Sequence, residues 1–216
     1  MITATNTNTK TTYLALCGLF AALTAICSWI SIPLGFTPVP VNLGTLAVYL
    51  TAGLLGPKYG TISITVYALA GAVGVPVFSG FRGGIGVLAG PTGGYIIGYI
   101  VAAFIIGALI GVFTKAMQKP AAASEEDHTD REGDGLRMQS SKPQNRRLSL
   151  QLLAKAFAML CGMAACYVLG TCWFMISTNT GLVPALVACV FPFLPGDAIK
   201  IIAASLLVQR LKPYIK

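Results

Sequence analysis

Apolar residues in this chain come in long unbroken runs rather than in the one-sided stripes of a soluble helix. Residues 11–57, 59–81, 83–114 and 156–196 contain no Asp, Glu, Lys or Arg. About 20 consecutive apolar residues cross a bilayer as a helix. A helix also satisfies its own backbone polar groups in lipid, which an open strand cannot do. The breaks between runs predict six spans, over 12–32, 42–55, 61–75, 94–117, 150–176 and 197–211, with a short helical piece at 181–190. The first span, preceded by a polar segment at 1–11, is too long for a signal-peptide core and reads as a retained helix. The expected fold is an all-α, six-helix polytopic integral membrane protein with irregular outer-face loops. It forms one domain over 12–216, interrupted by a charged loop at 118–149.

Three irregular segments punctuate the spans. Pro33, Pro38 and Pro40 make a semi-rigid loop, because each fixes its own φ and holds its predecessor extended. Residues 74–94 carry eight glycines and two prolines yet stay apolar, so no regular helix is expected there. Irregular apolar backbone at membrane depth is tolerated where it is buried in protein or lines a cavity. The third break lies at 191–196, and 56–60 is read as a tight turn.

Composition agrees with the pattern. Fifty-five per cent of the 216 residues are hydrophobic and 10% are charged, against roughly 25% charged in soluble domains. Mean hydropathy is +0.75. These values exclude an ordinary soluble domain and a disordered chain. The net charge of +8 does not indicate nucleic acid, since the bases flank apolar runs as cytoplasmic anchors do. With both termini in the cytoplasm, thirteen of the fifteen Lys and Arg fall on the inner side, Lys200 lies inside the last span, and Arg82 alone is outside. The 118–149 loop is then cytoplasmic, and the three irregular segments converge on the outer face as a lidded pocket.

Six of the seven acids lie in 118–149, which leaves Asp197 as the one acid elsewhere. Asp197 and Lys200, three apart, share a helix face at the start of the last span. Charges inside a membrane usually face a cavity. Two readings stand: a self-satisfied pair that holds the last helix, or a ligand site. In the second, Lys200 offers three donors to a carboxylate, Asp197 accepts from an amide- or urea-like group, and Pro195-Gly196 leaves free N–H groups at a helix start. Arg82 is either an anion-binding fork or a charge reaching out to water. Trp29, Tyr49, Tyr67, Tyr95 and Trp173 are interface-belt aromatics or pocket walls, with Trp29 and Tyr95 the better pocket candidates by their place next to the outer loops. On helix 1, Gly18-x-x-x-Ala22 and Ala21-x-x-x-Ala25 serve either internal packing or docking onto another membrane subunit. All six cysteines sit in apolar runs without C-x-x-C spacing, so no metal or cofactor is expected. No nucleophile–base pair lies in the spans, and the chain is not expected to be an enzyme.

Three stretches resemble a known family: Leu88-Ala89-Gly90-Pro91-Thr92-Gly93-Gly94-Tyr95, Gly74-Val75-Pro76-Val77-Phe78 ahead of it, and Pro192-Phe193-Leu194-Pro195-Gly196-Asp197-x-x-Lys200. Together they are similar to the BioY family, the biotin-binding substrate subunits (S components) of energy-coupling-factor vitamin transporters. The likeness runs from Tyr13 to Leu211, while the 118–149 loop is longer and more charged than expected for the family. The resemblance implies a multi-pass cell-membrane protein that captures biotin from outside. It also implies association with a transmembrane coupling subunit and two ATPase subunits. In it, Asp197 and Lys200 match a ligand-contacting pair, the 33–40 loop matches a gate, and the small-residue face of helix 1 matches the docking surface. The Gly-rich wall adds Thr92, Gly93 and Gly94 to Asp197, Lys200, Arg82, Tyr95 and Trp29 as ligand-binding candidates. Biotin, with its carboxylate tail, ureido head and apolar thioether ring, suits a basic group, an acceptor and an apolar wall. A stand-alone carrier of a small organic acid is the alternative. Its usual inverted repeats with broken helices are not visible here, and an intramembrane enzyme is a weaker reading still.

Overall fold

The computed structural model describes residues 5–125 and 142–215. In chain order these form α1 (Thr5–Trp29), β1 (Ser31–Ile32), β2 (Val41–Asn42), α2 (Gly44–Ala72), α3 (Ile85–Ala89), α4 (Gly93–Glu125), α5 (Lys142–Thr178), α6 (Leu182–Cys189) and α7 (Leu194–Leu211). A short 3-10 turn over Lys212–Ile215 follows α7. The antiparallel β1–β2 pair folds the Pro-rich segment into a small hairpin, with Ser31 opposite Asn42.

The six expected helices come out as seven among the described residues, for identifiable reasons. The second and third are two limbs of α2, separated at Gly56 (φ 75°, ψ −172°) just before Pro57. Glycine accepts that φ, and proline has no N–H to bond back across the break. At about 1.5 Å per residue the limbs measure roughly 18 and 24 Å, each short of a ~30 Å hydrocarbon core. The break is covered by α4 at Gly107, where a Cβ would stand 2.5 Å from the Pro57 nitrogen.

Other boundaries also move. The Gly-rich segment, expected to hold no helix, contains α3. The third break shortens because α7 begins at Leu194 with Pro195 in its first turn, where a missing N–H leaves no bond unmade. Backbone helix also runs past the apolar stretches into the segments read as polar: α1 starts at Thr5, α4 continues to Glu125 and α5 starts at Lys142. A helix already nucleated adds hydrogen bonds whatever its side chains. The rest of the charged stretch, 126–141, lies outside the described residues.

Three helical stretches are long and apolar enough to cross a membrane: 10–29 of α1, 93–117 of α4 and 149–178 of α5. The α6–α7 pair, bent by 50°, passes the same test taken together. α4 packs between α2 and α5, α1 lies on α2, and α7 fits against α2 and α5. Lipid tails are as apolar as leucine, so close approach and hydrogen bonds hold such helices together. Accordingly Ala47, Ala52, Ala103, Ala158 and Ala204 are fully buried between helices. Ser63 donates to the Cys17 carbonyl at 2.8 Å, and the Ser28 and Tyr67 hydroxyls pair at 3.0 Å. Both bonds tie α1 to α2. Leu14, Leu19, Phe104, Val168 and Ile199 face outward, as a lipid-facing surface requires.

The small residues of α1 divide between the two readings. Ala21 and Ala25 are buried, whereas Gly18 and Ala22 are exposed and Gly18 has open space around it.

Candidate ligand-binding site

The starts of α2, α4 and α7 and the late part of α5 meet at one end of the bundle and enclose a cavity of about 850 Å³, its mouth included. All three irregular segments bear on it: Val39 and Pro40 from the hairpin, Phe78, Ser79, Arg82 and Thr92 from the Gly-rich stretch, and Phe193 from the turn before α7. Phe78 and Tyr67 meet edge to face at 5.6 Å, and with Tyr99 and Met163 they make most of the wall apolar or aromatic.

Asp197 and Lys200 sit inside this cavity, 3% and 8% exposed, with Lys200 Nζ 2.8 Å from Asp197 Oδ1. One helical turn brings them together on the inward face of α7, as their spacing requires. Lys200 Nζ also donates to the Asn42 carbonyl at 2.7 Å and to Thr45 Oγ1 at 3.0 Å. Asp197 Oδ1 accepts from the Thr45 hydroxyl at 3.2 Å, and Oδ2 accepts from the Tyr167 hydroxyl at 2.5 Å. The pair therefore binds α7 to both α2 and α5, and all three ammonium protons have acceptors. The free N–H groups expected beside Asp197 are not at that position. α7 begins earlier, and the Asp197 N–H donates to the Phe193 carbonyl at 2.9 Å.

Asn42 connects the pair to the walls. Besides its carbonyl bond to Lys200, its Oδ1 accepts from the Gly44 N–H at 2.8 Å and from the Tyr99 hydroxyl at 3.4 Å. Its Nδ2 donates to Ser79 Oγ at 2.6 Å. Tyr49 also lines the cavity. It is 2% exposed, and its hydroxyl has no hydrogen-bond partner among the described residues. A buried polar atom left unmatched costs about 1–3 kcal/mol, a cost carried at Tyr49 beside the cavity.

The eight sequence candidates divide. Asp197, Lys200, Arg82, Thr92 and Tyr95 line the cavity. Arg82 is exposed at the rim, its Nε donating to the Ser79 carbonyl at 3.2 Å. Tyr95 donates to the Cys189 carbonyl at 3.2 Å and so secures α6. Gly93, Gly94 and Trp29 stand outside the lining. A Cβ at Gly93 would collide with the Leu88 carbonyl, and one at Gly94 with Trp173, so these glycines permit close backbone packing instead. Trp29 acts as a strut: its Nε1 donates to the Pro76 carbonyl at 2.8 Å, and its ring stacks on Phe81 at 5.0 Å. Trp173, donating to the Gly90 carbonyl at 3.0 Å, holds the far end of the same Gly-rich stretch.

The reading from sequence missed Asn42, Thr45, Tyr99 and Tyr167, and left Tyr49 and Tyr67 open between belt and wall. For Tyr99 and Tyr167 the available signal was a lone polar atom deep in an apolar helix, which must find a partner inside the protein.

Comparison with known proteins agrees with this architecture. The sequence model of the BioY family matches residues 3–216. A biotin transporter BioY of Thermotoga maritima is 54% identical over 92 residues, which cover 43% of this chain and 53% of that protein. A biotin transporter BioY of Rhodobacter capsulatus is 31% identical, with 92% of each chain covered. The crystal structure of an S-component for biotin from an ECF-type ABC transporter superposes with a TM-score of 0.73. It is 29% identical, and the match covers 98% of this chain and 95% of that one.

Proposed function

Because the chain belongs to the BioY family, we propose that it is the membrane subunit that captures biotin for an energy-coupling-factor transporter, with the cavity above as its binding site. The observation that carries this reading is a buried Asp–Lys pair set in an otherwise aromatic and apolar cavity. An ureido head needs acceptors for two N–H groups and donors for one carbonyl. Asp197 supplies acceptor oxygens, and the unmatched Tyr49 hydroxyl supplies a donor. The thioether ring lies against Phe78, Tyr67 and Tyr99. Lys200 is already triply bonded, so the carboxylate goes to the rim, where Arg82 presents a guanidinium that is always charged and bonds carboxylates in a fork.

The chain supplies binding, not chemistry, and is a transporter subunit rather than an enzyme. The distribution of bases supports an orientation with both termini and the 118–149 stretch in the cytoplasm and the cavity opening outward. The exposed Gly18 and Ala22 on α1 supply a surface on which a transmembrane coupling subunit packs closely, and two ATPase subunits complete the assembly. Mass spectrometry of the ligand that co-purifies with detergent-solubilised protein tests the substrate. The biotin mass is expected; recovery of lipid alone, or of another organic acid, overturns it.

A further inference from the structure

A second cavity lies at the end of the bundle away from the first. It encloses about 550 Å³, its mouth included, between the end of the α4 span, the beginning of the α5 span and the turn after α7. Ile110, Phe113 and Met117 make an apolar wall, and Thr114, Gln151, Lys155 and Lys212 a polar one. No acidic side chain among the described residues lines it.

Lys155 is the unusual member. It is 9% exposed and donates to Gln209 Oε1 at 3.0 Å. An ammonium has three protons, and one neutral acceptor among the described residues leaves a buried positive charge poorly matched. Lys212 adds a second positive charge to the same walls. Lys155 lies six residues inside the α5 stretch that begins at 149, about 9 Å along the helix, and Lys212 follows the end of α7. The lining runs inward from Met117 and Gln151, near the ends of the apolar stretches, to Ile110 and Lys155, a range that matches a lipid phosphate and its first acyl carbons.

We propose that this cavity seats the phosphodiester of an anionic phospholipid, with its oxygens bonded to Lys155 and Lys212 and its first acyl carbons against Phe113 and Ile110. Basic pockets between membrane helices recognise head groups in this way, each lysine contributing about fivefold in affinity. Membrane lipid and free phosphate share the chemistry, and the apolar wall favours lipid.

Native mass spectrometry of the full chain in detergent, equilibrated with equal amounts of phosphatidylglycerol and phosphatidylcholine, tests the site. Phosphatidylglycerol should be retained in preference. Retention should fall about fivefold in K212Q and about 30-fold in K155Q/K212Q, survive in K155R/K212R, and resist inorganic phosphate. Equal retention of the two lipids, or undiminished phosphatidylglycerol in K155Q/K212Q, overturns the proposal. So does complete displacement by inorganic phosphate, which would mark a free-anion site. Lys212 is only half-buried, so K212Q gives a reading of its own if loss of Lys155 prevents folding.

Discussion

Neutralising Asp197 separates its role as a clasp between helices from the ligand contact proposed for it. In Asp197→Asn the shape is kept but the charge is lost, and the new amide NH2 must face either the Lys200 ammonium or the Tyr167 hydroxyl. Lys200, 8% exposed, is left as a buried cation bonded to neutral oxygens at Asn42 and Thr45. Lys200→Met produces the mirror case, a buried carboxylate with the Thr45 and Tyr167 hydroxyls alone. Removing one partner of a buried pair destabilises by about 3–5 kcal/mol, whereas removing both is often nearly neutral. The expected pattern is therefore a lowered melting temperature in detergent for each single variant and recovery of most of it in D197N/K200M. Biotin affinity, measured by titration calorimetry on protein that remains folded, should fall more than about tenfold in D197N and in D197N/K200M, which both lose the carboxylate acceptor. Wild-type affinity in the double variant would refute the assignment and leave the pair as a purely structural tie.

Two further predictions follow from the walls. Arg82→Gln should weaken biotin about tenfold, the scale of one charge-assisted hydrogen bond, and leave the methyl ester of biotin unaffected; equal losses for the two ligands would show that the carboxylate lies elsewhere. Gly71→Ala would drive a methyl group into the Phe78 ring, so it should destabilise by about 1–3 kcal/mol and weaken biotin by displacing a cavity wall, while Gly18→Ala, in open space, should leave the melting temperature unchanged; equal behaviour of the two would contradict the packing described.

The apolar segments were legible because lipid forbids charge along their whole length, a constraint that acts at every residue. Asp197 and Lys200 were legible for the same reason, as exceptions that need a cavity. Helix ends were less so, since backbone bonding carries α4 to Glu125 and α5 back to Lys142 with no apolar signal. The junction at Gly56 reads in sequence as a turn, but Pro57 enters a second helical limb directly. Trp29 and Tyr95 both border loops, yet only the register of each helix sends Tyr95 inward and Trp29 onto Pro76. Asn42 reads in sequence as the first residue of a span, whereas it stands just before α2 with its Oδ1 on the Gly44 N–H. Its contacts with Lys200, Ser79 and Tyr99 depend on segments 37 to 158 positions away.

Those contacts give Asn42 a mechanical consequence. Its carbonyl, its amide oxygen and its amide nitrogen are each engaged with a different part of the protein, and the bonds at its two ends are short. The residue that holds the Lys200 ammonium is therefore the same one that grips Ser79 in the Gly-rich stretch above. Floor and roof of the chamber are thus fastened to each other at one residue, through its backbone carbonyl on one side and its side-chain amide on the other.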